Sequence, residues 1–187
     1  MARERVRRPL SPLNESKLNE LALRYVGKYA TTRAKLRAYL SRKLRERGWS
    51  EGREPDLDGL AERFARAGYV DDAAYALSKS HALSARGYGK RRIIEKLRIA
   101  GVDDKDGRPA FDHADEQAVA AALHFAERKR LGPFAREAAD RNVREKAIAA
   151  MVRAGHAPRL ARAIVALPPR SGADMEDIRS SLTHVNG

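Results

Sequence analysis

Paired carboxylates, scattered imidazoles and a glycine-flanked lysine are the groups in this sequence with chemical potential, and none has the spacing that its chemistry requires. His81, His113, His124, His156 and His184 show no metal-ligand spacing and no i, i+4 pair, so they read as packing or surface residues. Asp71 and Asp72 suit Mg²⁺ in principle. Adjacent carboxylates at the start of a helical pattern are more often caps, which satisfy free backbone N–H groups and favour the helix dipole. Gly87-Tyr88-Gly89-Lys90 outlines a phosphate loop only superficially, because no strand precedes it and no Gly-Lys-Ser/Thr ending follows. The chain has no cysteine, which excludes a thiol nucleophile, a disulfide and a thiolate metal site. No catalytic residue, cofactor-binding residue or metal ligand is expected, and enzyme is the disfavoured class.

The remaining signal is charge. Lys and Arg number 38 against 25 Asp and Glu, a net +13, so a polyanion is the first partner to consider. Residues 1–50 hold 14 Lys/Arg and 4 Asp/Glu, residues 51–100 hold 10 and 8, and residues 101–187 hold 14 and 13. One cluster comprises Lys28, Arg33, Lys35, Arg37, Arg42, Lys43, Arg45 and Arg47, with only Glu46 opposing it along the chain. A second comprises Arg86, Lys90, Arg91, Arg92, Lys96 and Arg98. Charge runs are usually solvated surface, but so steep an asymmetry favours a binding face. Tyr39, Trp49 and Tyr88 lie among these cations and suit stacking on bases, although Tyr39 also belongs to an apolar stripe and fits a core. No base-reading helix pattern is present, so any DNA contact should be weak, phosphate-dominated and indifferent to sequence.

These residues must be positioned by helices. Aromatics make up 6% of the chain, and Ala, Leu, Arg and Glu dominate, a helical composition. Asn14 caps a stripe of Leu18, Leu21, Ala22, Tyr25, Val26 and Tyr29 at i, i+3, i+4, i+7 spacing. Thr31 or Thr32 restarts a second helix with Leu36, Tyr39, Leu40 and Leu44 inward, stopped by Gly48. Pro55-Asp56 opens a third, carrying Leu57, Leu60, Ala61 and Phe64, which Gly68 ends. Asp71 or Asp72 caps a fourth that runs to about Ala85, with Val70 as a staple. Gly89 precedes a fifth, with Ile93, Ile94 and Leu97 on one face, and Gly101 ends it. Further helices are expected at about 115–130, 140–154 and 158–167. Gly107 and Pro109 predict a short or kinked element at 103–113.

An internal repeat runs through this pattern. Residues 91–102 align with 144–156, matching Ile94 to Ile148, Leu97 to Met151 and Gly101 to Gly155, and residues 39–49 fit the same frame. Three copies of a three-helix unit account for the chain, and such units hide their apolar faces only by stacking on neighbours. The expected fold is all-α, an elongated, curved array of three tandem three-helix repeats. Its expected boundaries are a basic flexible segment at 1–13, repeats at 14–69, 70–114 and 115–167, and a mobile tail at 168–187.

Gly68 to Ala76, Gly-Tyr-Val-Asp-Asp-Ala-Ala-Tyr-Ala, followed by Gly-Tyr-Gly-Lys-Arg-Arg-Ile-Ile-Glu-Lys-Leu-Arg-Ile-Ala-Gly at 87–101, resembles the paired signature of the RecX family, the small regulators of the RecA recombinase. The resemblance is most specific at 67–101 and extends less specifically over about 15–167. Gly68, Tyr69, Asp71, Asp72, Gly89 and Gly101 are its motif residues here. It implies tandem three-helix repeats and a regulator, mainly an inhibitor, that lies along the groove of the RecA–DNA filament and suppresses strand exchange and ATP hydrolysis. Where the family has a continuous third helix, this chain carries Gly107 and Pro109. The other reading is a sequence-nonspecific helical DNA-binding protein with no recombinase partner. Either is expected to be a cytoplasmic monomer. No apolar run approaches the ~18 residues of a membrane span.

Overall fold

Side-chain caps decide where the helices of this computed structural model begin. It describes residues 11–169 and 178–182, all-α with no strand among them. Asn14 accepts from Lys17 N at 3.0 Å to open α1, Glu15–Val26. Thr32 accepts from Lys35 N at 3.1 Å to open α2, Arg33–Arg47. Asp56 accepts from Gly59 N at 2.8 Å to open α3, Leu57–Arg66. Each oxygen satisfies an N–H that a helix start leaves without a partner. Contacts divide the chain into two compact bodies, residues 1–72 and 73–187.

The first body buries Leu18 and Ala22 of α1, Leu36 and Leu40 of α2, and Leu60, Ala61 and Phe64 of α3 in one cluster with Val70. Each fully buried Leu contributes roughly 1.5–3 kcal/mol, which outweighs any single surface charge pair here. Of the segment expected to be flexible at 1–13, residues 1–10 lie outside the described residues. Leu13 is completely buried, and it exchanges backbone hydrogen bonds with the turn after α2, donating to Gly48 O and accepting from Ser50 N, both at 2.9 Å.

The second body contains α4 (Asp72–Ala85, whose first residue belongs to the first body), α5 (Lys90–Ile99), α6 (Asp104–Glu116), α7 (Ala118–Lys129), α8 (Arg141–Arg153) and α9 (Pro158–Ala166). Asp103 caps α6 and Asp140 caps α8. One cluster gathers Ala76, Leu83, Ile93, Leu97, Ala110 and Ala114. The other joins α7, α8 and α9 around Leu123, Met151, Leu160 and Ile164. Ile178 and Leu182 belong to this second cluster and are 5% and 3% exposed. They lie in a helical turn at 178–182 within the expected 168–187 tail, whose residues 170–177 and 183–187 lie outside the described residues.

Two expectations change. The element at 103–113 is neither short nor interrupted: α6 runs through Pro109 to Glu116. Gly107 there is a packing site, since a Cβ on it would stand 2.6 Å from the Phe111 ring one turn later. The helix expected over about 115–130 breaks at Gln117, which separates α6 from α7.

Five helix ends share one device. Tyr69 N–H returns to Phe64 O at the end of α3, Tyr88 to Leu83 after α4, Val102 to Leu97 after α5, Leu131 to Ala126 after α7, and His156 to Met151 after α8. The preceding residue in each is left-handed: Gly68, Gly87, Gly101, Arg130 and Gly155. This six-to-one closure satisfies terminal carbonyls that the helix cannot. Gly48 after α2 departs from it, with its N–H bonded to Leu44 O.

Asp72 is a cap, but chiefly for another helix. Its carboxylate, 6% exposed, accepts from the backbone N of Arg33 at 2.9 Å and from Arg33 Nε at 3.3 Å. As the first residue of α4 it also places negative charge at that helix start, so one carboxylate serves two helix N-termini. Asp72→Ala should lower stability by about 2 kcal/mol, the scale of hydrogen bonds to charged groups. Asp72→Asn, which keeps an acceptor, should lose less. Urea midpoints followed by circular dichroism check both, and an unchanged midpoint for the alanine variant would show that the cap makes no net contribution.

Candidate functional site

The Gly87-Tyr88-Gly89 step before α5 is seated on the end of α8. Gly89 N donates to Ala154 O at 3.0 Å and Arg91 N to Gly155 O at 3.2 Å. Orphan donors at one helix start thus meet orphan acceptors at another helix end, with the dipoles aligned. His156 Nε2 donates to Gly87 O at 3.1 Å. The approach requires glycines. A Cβ on Gly89 would lie 2.4 Å from the Gly155 carbonyl carbon and oxygen, and one on Gly155, at φ +98, would lie 2.5 Å from Arg92 N. The joint is filled by backbone and leaves no room for a nucleotide phosphate.

On this seat α5 buries Ile93 and Leu97 completely, half-buries Ile94 and turns its cations outward. Most of those cations are answered locally. Lys90 Nζ pairs with Asp115 of α6. Arg92 reaches Glu95 at 2.7 Å and Arg98 reaches Asp104 at 3.7 Å. The Arg86 guanidinium stands over the Tyr88 ring, 5.7 Å from its centroid. Arg91 and Lys96 are exposed and make no ion pair with a described residue. Tyr69 is 57% exposed and leans on Phe64 with ring centroids 5.6 Å apart.

The first-body cluster is neutralised further still. Arg33 pairs with Asp72 and with Glu62, and Arg37 pairs with Asp58 at 2.6 Å. Lys43 and Arg42 share Glu46, and Lys43's hydrogen bond, aided by the Arg42 and Arg45 charges, holds that carboxyl below the usual range. Arg45 donates to Ser41 Oγ and Arg47 to Ser11 O. Lys35 is half-buried on the first turn of α2, and Lys28 is exposed over the Tyr29 ring at 5.4 Å. Aromatic rings lie between these cations. Tyr39 is half-buried and stacks on Tyr25 at 4.2 Å, while Tyr29, half-exposed, tilts against Tyr25 at 5.4 Å. Arg42 lies 5.6 Å from the Tyr39 centroid. Trp49 is not a free platform: its indole N–H donates to Arg53 O at 2.8 Å, and its backbone bridges Leu13.

The fold also joins what sequence spacing separates. His81, His113 and His124 line one hollow of the second body, although they are far apart along the chain. Asp71 is exposed just ahead of α4. Among the described residues the arrangement offers cationic helix faces.

The class so defined is an all-α protein with a basic, interlocked helix pair at its motif. The chain belongs to the RecX family. It is 32% identical over 156 residues to the regulatory protein RecX of Myxococcus xanthus, covering 79% of this chain and 83% of that protein. Against the regulatory protein RecX of Agrobacterium fabrum it is 27% identical over 148 residues, 77% of this chain and 79% of that one. The RecX crystal structure from Lactobacillus salivarius shares the fold, with a TM-score of 0.56 at 19% identity over 90% of this chain and 94% of the other. No protein-family model matches the chain. The relatives are named as regulatory proteins and not as enzymes, and this chain is a RecX-type regulator. None of its described helices is long and apolar enough to cross a membrane.

Two measurements test the joint. Gly89→Ala should cost about 2 kcal/mol or more in urea unfolding, because the obstructing atoms are backbone and cannot swing aside; a wild-type midpoint would show that the close approach is slack. Burial pushes His156 below its ordinary value of 6.5, the hydrogen bond to Gly87 opposing. A depressed folded-state pKa means that its contribution is complete above 6.5 and is lost as the pH falls through the folded value. The urea midpoint should therefore drop on acidification from about pH 7.5 to 5, and drop less in His156→Gln. Parallel slopes in the two proteins would remove His156 as the cause.

Proposed function

We propose that the protein regulates, mainly by inhibition, the RecA recombinase by binding along the RecA–DNA filament, and that the exposed side of α5 is part of the contact. Family membership, over more than four-fifths of the Myxococcus relative, carries this reading. Support for the face comes from Arg91 and Lys96, cations with no ion-pair partner among the described residues to give up on meeting an acidic surface or a phosphate. A cation already paired gains less on binding, since its partner must be left behind. The cytoplasm, where such a filament forms, is the compartment that this reading assigns.

The aromatic and cationic ladder of Tyr25, Tyr29, Tyr39, Lys28 and Arg42 favours a second reading, DNA binding without a recombinase partner, because stacked rings between cations suit single strands. Salt separates the two. Inhibition of RecA ATPase that persists at ionic strength abolishing binding to bare DNA supports a protein partner; inhibition that disappears with DNA binding supports the alternative.

Charge reversal at Arg91 and Lys96 together should abolish inhibition of RecA ATPase by stoichiometric protein, and filaments imaged with the variant should look like those without it. Folding stability should shift by no more than about 0.5 kcal/mol. Reversal at Arg136, outside both clusters, should matter less. Equal loss from both changes would mean diffuse attraction in place of a positioned face.

A further inference from the structure

We propose that the hollow between α4, α6 and α7 is a binding site for a nucleotide with an amino-bearing base such as adenine, free or as an unstacked residue of a single strand. His81 and Ser84 of α4, His113 of α6, Gln117 at the α6–α7 break and His124 of α7 line it, with Ala120 and Ala121 as small residues that keep it open. Its volume of about 300 Å³ reaches the lower end of small-molecule sites, roughly 300–1,000 Å³, and accommodates one heteroaromatic ring system. The His81 and His113 rings pack against each other, 3.8 Å between centroids. They form an aromatic wall of the kind on which bases stack.

Three polar groups of the lining suit the edge of a base. Ser80, fully buried, donates its single hydroxyl proton to Ala110 O at 2.8 Å, and its oxygen is 3.1 Å from His113 Nδ1. With that proton committed, the oxygen accepts, so Nδ1 carries the hydrogen and Nε2 keeps a lone pair for an exocyclic amine. Burial, then the neighbouring His81, lowers the His113 pKa, so that lone pair stays free at neutral pH. Ser84 is 6% exposed, and its hydroxyl has no hydrogen-bond partner among the described residues. Rotation about one bond offers its proton to a ring nitrogen. A buried hydroxyl is costly until something satisfies it, and this residue lines the space where a base would lie. The Gln117 amide supplies a donor and an acceptor together.

A cation stands where the phosphate would follow. Arg128 is one turn beyond His124 on the same side of α7. One of its guanidinium nitrogens donates to Arg86 O at 2.6 Å, which ties it to the end of α4 beside Ala85, another residue of the lining. Its other N–H groups remain for a phosphate oxygen, and it makes no ion pair with a described residue. Base and phosphate thus have separate partners, which a site for a bare anion would lack. None of these groups belongs to the exposed side of α5, so this site stands or falls independently of the proposed function.

Titration of the full chain with adenosine monophosphate, followed by proton–nitrogen NMR of the histidine rings, tests the site. Saturable shifts are expected at His81, His113 and His124 and not at His156. Gln117→Ala should weaken binding about 2- to 10-fold, as the loss of one hydrogen bond does. Arg128→Gln should weaken it about 10-fold or more while leaving the binding of adenosine, which has no phosphate, unchanged. Ala120→Leu, which fills the hollow from a half-buried position, should abolish it. Circular dichroism confirms that each variant is folded. A short deoxyadenylate strand titrated into the same variants distinguishes the sources. Strand binding lost in Ala120→Leu identifies an unstacked base of a strand, and strand binding unchanged there identifies the free nucleotide. The proposal is overturned if adenosine monophosphate gives no saturable shift, if ribose phosphate binds as tightly, or if Ala120→Leu leaves nucleotide binding intact.

Discussion

Everything distinctive about the second body depends on one contact, the start of α5 docked against the end of α8. A helix that opens with Lys90, Arg91 and Arg92 places three cations where its dipole is already positive. Glycine at the cap offers no side-chain oxygen to offset this. The carbonyls of Ala154 and Gly155 take that role, and they approach closely enough only because neither chain has a Cβ at the crossing. His156 then ties the preceding turn to the same helix end. The motif glycines are therefore structural, and what they hold still is a cationic helix.

Net charge is a poor guide to how that helix can bind. The formal +13 suggests a broadly sticky polycation. At the level of contacts, acids drawn from other helices answer the cations: Asp58 and Glu62 of α3 for α2, Asp115 of α6 for Lys90, and Asp104 for Arg98. Exposed pairs of this kind add little to stability, about 0–1 kcal/mol each. Their larger effect is to decide which charges remain available. Under the proposed function, specificity rests on a few unanswered groups and on the shape of the face that carries them.

The helices were legible in the sequence because their periodicity and caps are local. Asn14, Thr32 and Asp56 cap the helices assigned to them, and Gly68 and Gly101 end theirs. The family was legible in the paired motif at 68–76 and 87–101. What stayed hidden is what only tertiary contact decides. Asp71 and Asp72 both looked like caps for the fourth helix, and the service of Asp72 to Arg33 was hidden because it depends on how α2 lies. Pro109 looked like a breaker because propensity cannot weigh the packing of Ala110, Phe111 and Ala114. Ile178 and Leu182 sit in a polar stretch whose burial no local pattern announces. The histidines of α4, α6 and α7 share one hollow through the fold and not through spacing. The cation clusters were visible as residues, but their pairing was not.

Gly87 and His156 are 69 residues apart, and that separation imposes an order on synthesis. Translation at roughly 5–20 residues per second makes α5 several seconds before the helix end that completes it. During that interval the N–H groups of Gly89 and Arg91 have only water as partner, and the apolar side of α5 can rest only on neighbours already made. A nascent chain halted before α8 would carry the signature segment with a frayed beginning. The most recognisable stretch of this protein is thus finished late, once the far end of the chain arrives.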